Sequence, residues 1–455
     1  MLEFSANTIA QWVGGKIVCG NPETIVSGVA IDSRDVKQNN IFFALTGEVT
    51  NGHQYLTSAV KNGATLVIVE DLSTEVDVCQ IVVSDTFLAL QMLTKAYIKL
   101  FPIPFVAITG SSGKTTTKDV TASILAQKYH VLKTQGNLNS TTGVPLTIFD
   151  LDHSHEIGVI EMSMSHPGEI LGNADIVRPE TVVITNIGLC HIEFLQTQEN
   201  IFKAKSEILT YLGKNDVAVL NADDPYLRTI QDGDFTVVST GIENGGFRAN
   251  NITNTNEYVS FSVNIDGEEE YFRFAVPGNH NVSNCLSAIA VGLRYGLSAD
   301  QIRSGLQSYH PSKNRMEIVS LRSITLINDT YNANPDSMKA AVDVLCHIAK
   351  EDRKIAVLCD MYELGEDAAE MHVICGKYAA QSHVDLLLST GTHVSDYEKG
   401  FSSVNTDGKC RVFKNKDQLE QFLSKELKEN DTVLFKASRG MQLDETFHHI
   451  KEKLA

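Results

Sequence analysis

One segment constrains this chain more than any other: Phe105-Val-Ala-Ile-Thr-Gly-Ser-Ser-Gly-Lys-Thr-Thr-Thr117. The first five residues predict a strand, the glycines a tight loop, and a helix is expected to start at Lys114. Such a loop turns several backbone N–H groups toward one point, where the helix N-terminus adds positive dipole. Lys114 can reach β- and γ-phosphates, and the Thr115 hydroxyl can ligate Mg²⁺. Thr109, Gly110, Ser111, Ser112, Gly113 and Thr116 complete the candidate cradle. The plainer alternative is a strand–helix turn that merely needs glycine. The Lys-Thr pair at the helix start favours phosphate binding. One departure from GxxxxGK[ST] is Ile108, which stands where that pattern has its first glycine.

The rest of the chain gives that loop a soluble, multi-domain setting. At 455 residues, about three domains are expected from ~100–200 residues per domain. A net charge of −18 argues against a nucleic-acid partner, because neutralising phosphates needs clustered cations. It leaves room for a local basic pocket. Eight cysteines without a CxxC pair read as free thiols in a reducing compartment. No signal peptide and no apolar run near ~20 residues is present, so a cytoplasmic protein without a membrane span is expected.

Apolar runs separated by helical patterns predict a mostly parallel sheet: Phe105–Thr109, Gly158–Glu161, Thr181–Asn186 and Val217–Asn221. Before them, Ile41–Leu45 and Thr65–Val69 with a helical His53–Asn62 suggest a small α/β unit, and a helix is expected over Leu88–Leu100. Alternation in Tyr258–Val263 and Glu270–Ala275 suggests an antiparallel insertion. A second α/β series follows, with strands at Ile324–Asn328, Lys354–Cys359, Leu386–Ser389 and Thr432–Lys436. The expected domains are 1–84, 85–314 and 315–455.

Three further segments hold groups that a nucleotide–metal site needs. Glu161 ends a predicted strand, where α/β sites gather. Thr185-Asn-Ile-Gly-Leu-Cys-His191 ends another and offers His191. Lys205 lies on a helix of mixed charge, where taken alone it reads as a solvated lysine.

In order, the chain carries TGSSGKTTTK, GNLNSTTGVPLT, EMSMSHPGEI, TNIGLCHIE, AKSEI, PGNHNVSN and NDTYNANPDSM. These motifs resemble the Mur ligases, the ATP-dependent amide-forming ligases of bacterial peptidoglycan precursor synthesis. The resemblance extends to Asp32-Ser-Arg34 and Asn51-Gly-His53 near one end, and to Asp360-Met-Tyr-Glu-Leu-Gly365 and Lys436-Ala-Ser-Arg-Gly-Met441 near the other. Cys359 and Ala437 stand where the family usually has glycine, which puts the local backbone there in question.

The resemblance implies a fold of three α/β domains: a small UDP-binding domain, a central P-loop parallel-sheet ATPase-like domain and a C-terminal Rossmann-like domain. It implies a reaction through an acyl phosphate. Lys114 would steady the phosphates, Thr115 and Glu161 would hold one Mg²⁺, and His191 a second. Lys205 matches a lysine that many members carry as a carbamate (N6-carboxylysine). Asn281 and Asn284 match the adenine contacts; the alternative for Asn284 is an exposed position beside a helix cap. Arg315 and Asp329 match residues reaching phosphate and ribose. Asn137, Asn139, Thr141 and Ser163 match the muramyl-peptide channel. Ser33, Arg34, Thr46 and His53 are candidates for the uridine diphosphate, although Arg34 could equally serve an internal salt bridge.

Tyr331-Asn-Ala-Asn-Pro-Asp-Ser-Met338 and the lack of a DNPR motif point within the family to the member that adds D-Ala-D-Ala to UDP-MurNAc-tripeptide. Tyr331, Asn332, Asn334, Ser337 and Arg439 are the candidates for the dipeptide. The substrates would be small molecules and the protein a monomer. The rival readings are the tripeptide-forming ligase, folylpolyglutamate synthetase, and a non-catalytic ligase-like binding protein.

Overall fold

A computed structural model describes residues 1–47, 50–404 and 407–455. Three α/β units follow one another along the chain. The first holds a five-stranded sheet in the order Lys16–Cys19, Cys79–Val82, Ala64–Val69, Asn40–Phe43, Val29–Ala30. Its helices include Ala6–Val13, capped by the Ser5 hydroxyl, and Leu56–Lys61 behind a 3-10 turn at Gly52–Tyr55. The expected helix His53–Asn62 is thus split, because Asn51 caps the tighter turn first.

Asp85 accepts from Leu88 N at 2.8 Å and starts the helix Thr86–Ile98 two residues earlier than its apolar pattern suggests. Tyr97 on that helix is fully buried; its hydroxyl accepts from Leu2 N at 3.0 Å and donates to the Leu151 carbonyl at 2.6 Å, which ties the first unit to the second.

The second unit is built on a nine-stranded sheet. Seven neighbouring strands are parallel: Phe247–Asn254, Thr236–Gly241, Val217–Asn221, Thr181–Ile184, Phe105–Thr109, Ile157–Glu161 and Val131–Lys133. Phe105–Thr109 and Ile157–Glu161 are buried at every residue, as continuous apolar strands covered on both faces must be. Thr181–Ile184 ends before Thr185 and Asn186, which were expected to extend it; their side chains turn instead to the phosphate loop. The alternating insertion adds Val259–Ile265, antiparallel to Phe247–Asn254, and then Glu268–Phe274, antiparallel to Val259–Ile265, at the sheet's edge. Short Val131–Lys133 closes the other edge.

The third unit has a six-stranded sheet in the order Glu317–Leu321, Ile324–Asp329, Thr432–Lys436, Lys354–Leu358, Leu386–Thr390, Lys409–Phe413, antiparallel only at the first pair. Cys359 and Ala437 are fully buried and neither has a positive φ, so the backbone there needs no glycine. All eight cysteines are free. Among the described residues no helix is long and apolar enough to cross a membrane.

Candidate active site

Strand order brings the site together. Phe105–Thr109 lies between Ile157–Glu161 and Thr181–Ile184, all parallel. Their carboxyl ends therefore deliver the glycine loop, Glu161 and the Thr185–His191 segment to one edge. Opposite stand the carboxyl ends of Ile324–Asp329 and Thr432–Lys436, with Asp329 paired in register to Lys436. Between them is a cavity of about 610 Å³ lined by residues of both units.

The loop has the shape its glycines permit. Gly110 has φ +147°, and a Cβ there would meet Thr185 Oγ1 at 1.8 Å; at Gly113, φ is +77° and Asn284 Oδ1 would lie at 2.5 Å. Helix Lys114–Leu125 starts directly after it. Lys114 Nζ folds back onto the Gly110 carbonyl at 2.7 Å. Ser111 and Ser112 are held by Gly188 and Asn186: Ser111 Oγ donates to Gly188 O at 2.9 Å, and Asn186 Nδ2 donates to Ser112 Oγ at 2.9 Å. Thr109 is buried beneath the loop and does not line the cavity.

Glu161 is 1 % exposed. Its Oε1 accepts from Asn139 Nδ2 at 2.7 Å and Thr115 Oγ1 at 3.2 Å, while its buried Oε2 has no partner. An orphaned carboxylate oxygen is costly to bury. Beside a threonine hydroxyl, it is the donor set that suits a hard divalent cation. Arg315 crosses from the third unit, donating from Nη2 to Thr115 Oγ1 at 3.0 Å while its Nε has no partner. Tyr331 stacks under the Arg315 guanidinium at 3.8 Å, with that of Arg439 at 5.6 Å. His191 Nδ1 lies 2.5 Å from Glu363 Oε2, a close ion-pair contact that lacks hydrogen-bond alignment, and the neighbouring imidazole holds the Glu363 carboxyl below its usual range. Among the described residues, no cluster of three or more His, Cys, Asp or Glu side chains is arranged to hold a metal.

Lys205 overturns its solvated reading. Two residues away, Lys203 is 64 % exposed and pairs with Glu199 on its own helix. Lys205 is 1 % exposed and donates to the Gly110 carbonyl at 3.1 Å, beneath the phosphate loop. Burial lowers its amine to about 8; the Cys190 thiol opposes that shift and the Lys114 charge adds to it. It lies behind the cavity wall rather than in it.

Asn281 and Asn284 are also buried, against the exposed alternative for Asn284. Asn284 Nδ2 donates to Asn281 Oδ1 at 3.3 Å, its Oδ1 accepts from Thr117 Oγ1 at 3.2 Å, and both asparagines line the cavity. Asp329 lines it too, ion-paired to buried Lys436. Asn137, Asn139 and Ser163 share the cavity, with Ser163 Oγ donating to Asn139 Oδ1 at 2.9 Å; Thr141 does not line it.

Asn334 and Ser337 line the cavity, but their polar atoms build the start of helix Pro335–Ala349. Asn334 Oδ1 accepts from Ser337 N at 2.8 Å and Ser337 Oγ from Asn334 N at 3.0 Å. Asn332 and Tyr331 lie just before that cap.

The uridine candidates stand apart from this cavity. Arg34 is 85 % exposed at its side chain and paired with Asp32, whose carboxyl that hydrogen bond holds down at about 2. Both His53 ring nitrogens are occupied, Nδ1 by Asn51 Oδ1 and Nε2 by the Glu70 amide. Ser33 is buried, and exposed Thr46 bridges to Asn51.

Sequence reasoning missed Thr185, Asn186, Tyr362, Glu363, Lys436 and Ser438 as cavity residues. All lie inside quoted motifs, so the signal was present but carried no assigned chemistry.

Three family profiles match the chain: "Mur ligase family, catalytic domain" over 25–101, "Mur ligase middle domain" over 108–292 and "Mur ligase, glutamate ligase domain" over 314–439. A Bacillus subtilis protein named UDP-N-acetylmuramoyl-tripeptide–D-alanyl-D-alanine ligase is 33 % identical, with 98 % of each chain covered. Its Escherichia coli namesake is 31 % identical, covering 99 % of each. A crystal structure of MurF from Acinetobacter baumannii superposes with a TM-score of 0.92 at 30 % identity over 99 % of both chains. MurF from Thermotoga maritima, in complex with ADP, gives 0.84 at 26 % identity, covering 94 % of this chain and 98 % of that one. With these matches and the site's geometry together, the chain belongs to the Mur ligase family.

Proposed function

We propose that this chain is the ATP-dependent ligase that joins D-Ala-D-Ala to UDP-N-acetylmuramoyl-tripeptide, giving the pentapeptide, ADP and phosphate. The observation that carries the reading is one cavity shared by two units: phosphate loop and Glu161 on one wall, Tyr331–Ser337 and Arg439 on the other. The names of the relatives supply the substrates and favour this member over the tripeptide-forming ligase. Eight free thiols suit a reducing compartment such as the cytoplasm.

The chemistry brings two anions together. A carboxylate oxygen of the tripeptide attacks the γ-phosphorus of ATP, and the bond to the β,γ-bridging oxygen breaks, releasing ADP. The amine nitrogen of D-Ala-D-Ala then attacks the acyl carbon, loses a proton, and phosphate leaves. Each step is limited by repulsion and by developing charge, so cations fixed beforehand matter most. Lys114 exchanges the Gly110 carbonyl for phosphate oxygens. Arg315, with a free buried Nε, adds a second cation from the facing unit. Asn281 and Asn284 receive adenine, and Asp329, steadied by Lys436, receives the ribose.

Mg²⁺ supplies charge neutralisation at the phosphates. The donor set that fits it is Thr115 and the orphaned oxygen of Glu161, with His191 for a second ion. Lys205 suits a carbamate, which needs a neutral amine: its burial and lowered pKa raise the neutral fraction, and Lys114 is close enough to balance the resulting anion. Asn137, Asn139 and Ser163 line the peptide's approach, with Thr141 at its margin. Tyr331, Asn332 and Arg439 meet the dipeptide, while Asn334 and Ser337 shape the helix start beneath it. Ser33, Arg34, Thr46 and His53 mark the uridine end.

Phosphate release from purified protein with UDP-MurNAc-tripeptide, ATP, Mg²⁺ and a panel of amines tests the reading. Turnover should be far faster with D-Ala-D-Ala than with L-lysine or meso-diaminopimelate. Equal rates with a free diamino acid would refute this member of the family while sparing the ligase chemistry.

A further inference from the structure

The segment after strand Lys354–Leu358 is pinned at several backbone groups. Cys359 N donates to Lys436 O at 3.1 Å, and Tyr397 Oη donates to Cys359 O at 3.0 Å. Ser438 N donates to Asp360 O at 3.0 Å, and Tyr362 N to Ser438 Oγ at 2.9 Å. Met361 N donates to His372 Nε2 at 2.9 Å. That ring is fully buried and its Nδ1 is already committed to Ala368 O at 2.6 Å.

This rigid arm ends on Glu363, which sits at φ +62° and faces His191 at φ +56°. Left-handed conformation costs a non-glycine residue about 1–2 kcal/mol, and such strain collects at functional sites. Here two strained residues from different units meet, with Glu363 Oε2 2.5 Å from His191 Nδ1 and Glu193 N donating to Glu363 O at 3.3 Å.

We propose that Glu363 is a positioning residue: its carboxylate, 2.5 Å from His191 Nδ1, is placed to accept the Nδ1–H after a small reorientation of the ring and so leaves Nε2 as the nitrogen presented to the cavity. His191 is then oriented for a divalent cation only when the third unit is seated against the second, so closure and assembly of the metal end become one event. Carboxylate partners of this kind orient ligating histidines, and losing one costs about 10–100-fold in metal affinity. The inference rests on the metal reading of His191 in the proposed function.

The test compares the full-length protein with Glu363→Ala and Glu363→Gln, using Mn²⁺ binding to the enzyme–ADP complex followed by electron paramagnetic resonance. Hydrogen exchange over residues 186–196 is measured in parallel. Glu363→Ala should weaken the second Mn²⁺ about 10–100-fold, speed exchange in that segment, and leave the KM for ATP within a few-fold. Glu363→Gln, which keeps an acceptor oxygen, should recover most of both. Unchanged Mn²⁺ affinity together with unchanged exchange in Glu363→Ala would overturn the proposal. Wild-type protein holding a single Mn²⁺ would refute the metal reading of His191. The exchange data would then decide the role of Glu363 by themselves, faster exchange sustaining it and unchanged exchange overturning it.

Discussion

The glycine-loop corner and the candidate uridine patch of the first unit are both polar, yet they are built on opposite principles. In the corner, Glu161 keeps a buried oxygen without a partner, Arg315 a buried Nε, and Lys205 a buried amine against a carbonyl. In the patch, Arg34 is exposed and paired with Asp32, and both His53 nitrogens are satisfied within the first unit, by Asn51 and by the Glu70 amide. An unpaired buried polar group costs about 1–3 kcal/mol, more if charged. The corner therefore holds a cost that a bound ligand would offset, whereas the charged and ring groups of the patch are already paired. Substitutions in the corner should change the rate, and substitutions in the patch should change little besides substrate affinity.

The largest expected effect is at Lys114 and Glu161. Lys114→Ala or Glu161→Gln should lower kcat on the order of 10²–10³, as losing a preorganised charge-stabilising group does, with the thermal midpoint nearly unchanged. Near-normal turnover in either would erase the contrast.

Lys205 comes next. Lys205→Met should lose activity about 10–100-fold while its thermal midpoint is equal or higher, because a buried cation has been removed. In protein stripped of CO₂, the sign of the pH effect is also set. The folded-state amine pKa is about 8 against 10.5, so the unfolded chain binds the extra proton. Stability should therefore rise with pH between those values by about 3 kcal/mol, and Lys205→Met should abolish that slope. Short carboxylates such as acetate should partly restore Lys205→Ala. Wild-type turnover in Lys205→Ala and Lys205→Arg would leave the lysine a packing residue.

Asn284→Ala should raise the KM for ATP about tenfold, the loss of roughly one buried hydrogen-bonded contact, with little change in kcat. The smallest effect is expected at Arg34→Ala, with stability within about 0.5 kcal/mol and an increase only in the KM for the UDP substrate. A large fall in kcat there would show that the patch is coupled to chemistry.

The same contrast explains what could be read from the residues alone. A phosphate loop is legible because its function is a backbone shape, and local glycine placement determines backbone shape. Glu161 alone reads as readily as a solvated cap; it became legible only together with the glycine loop, because both end predicted strands of one parallel sheet. Lys205 was not, since its neighbours on the helix are charged and its burial comes from Gly110 and Cys190, remote in sequence. Asn334 and Ser337 show a second use of one motif: the same Asn-x-x-Ser spacing is also a helix cap, and the cap engages Asn334 Oδ1 and Ser337 Oγ. Glu363 and Lys436 stayed silent because their roles exist only across units or across strands.

In the proposed reaction this corner activates a carboxylate by phosphorylating it. That step is tested most directly by running the reaction with the terminal carboxylate of UDP-MurNAc-tripeptide labelled with ¹⁸O and analysing the released phosphate by mass spectrometry. One ¹⁸O is expected in each phosphate formed with D-Ala-D-Ala. Phosphate released without label, alongside normal amide formation, would contradict it.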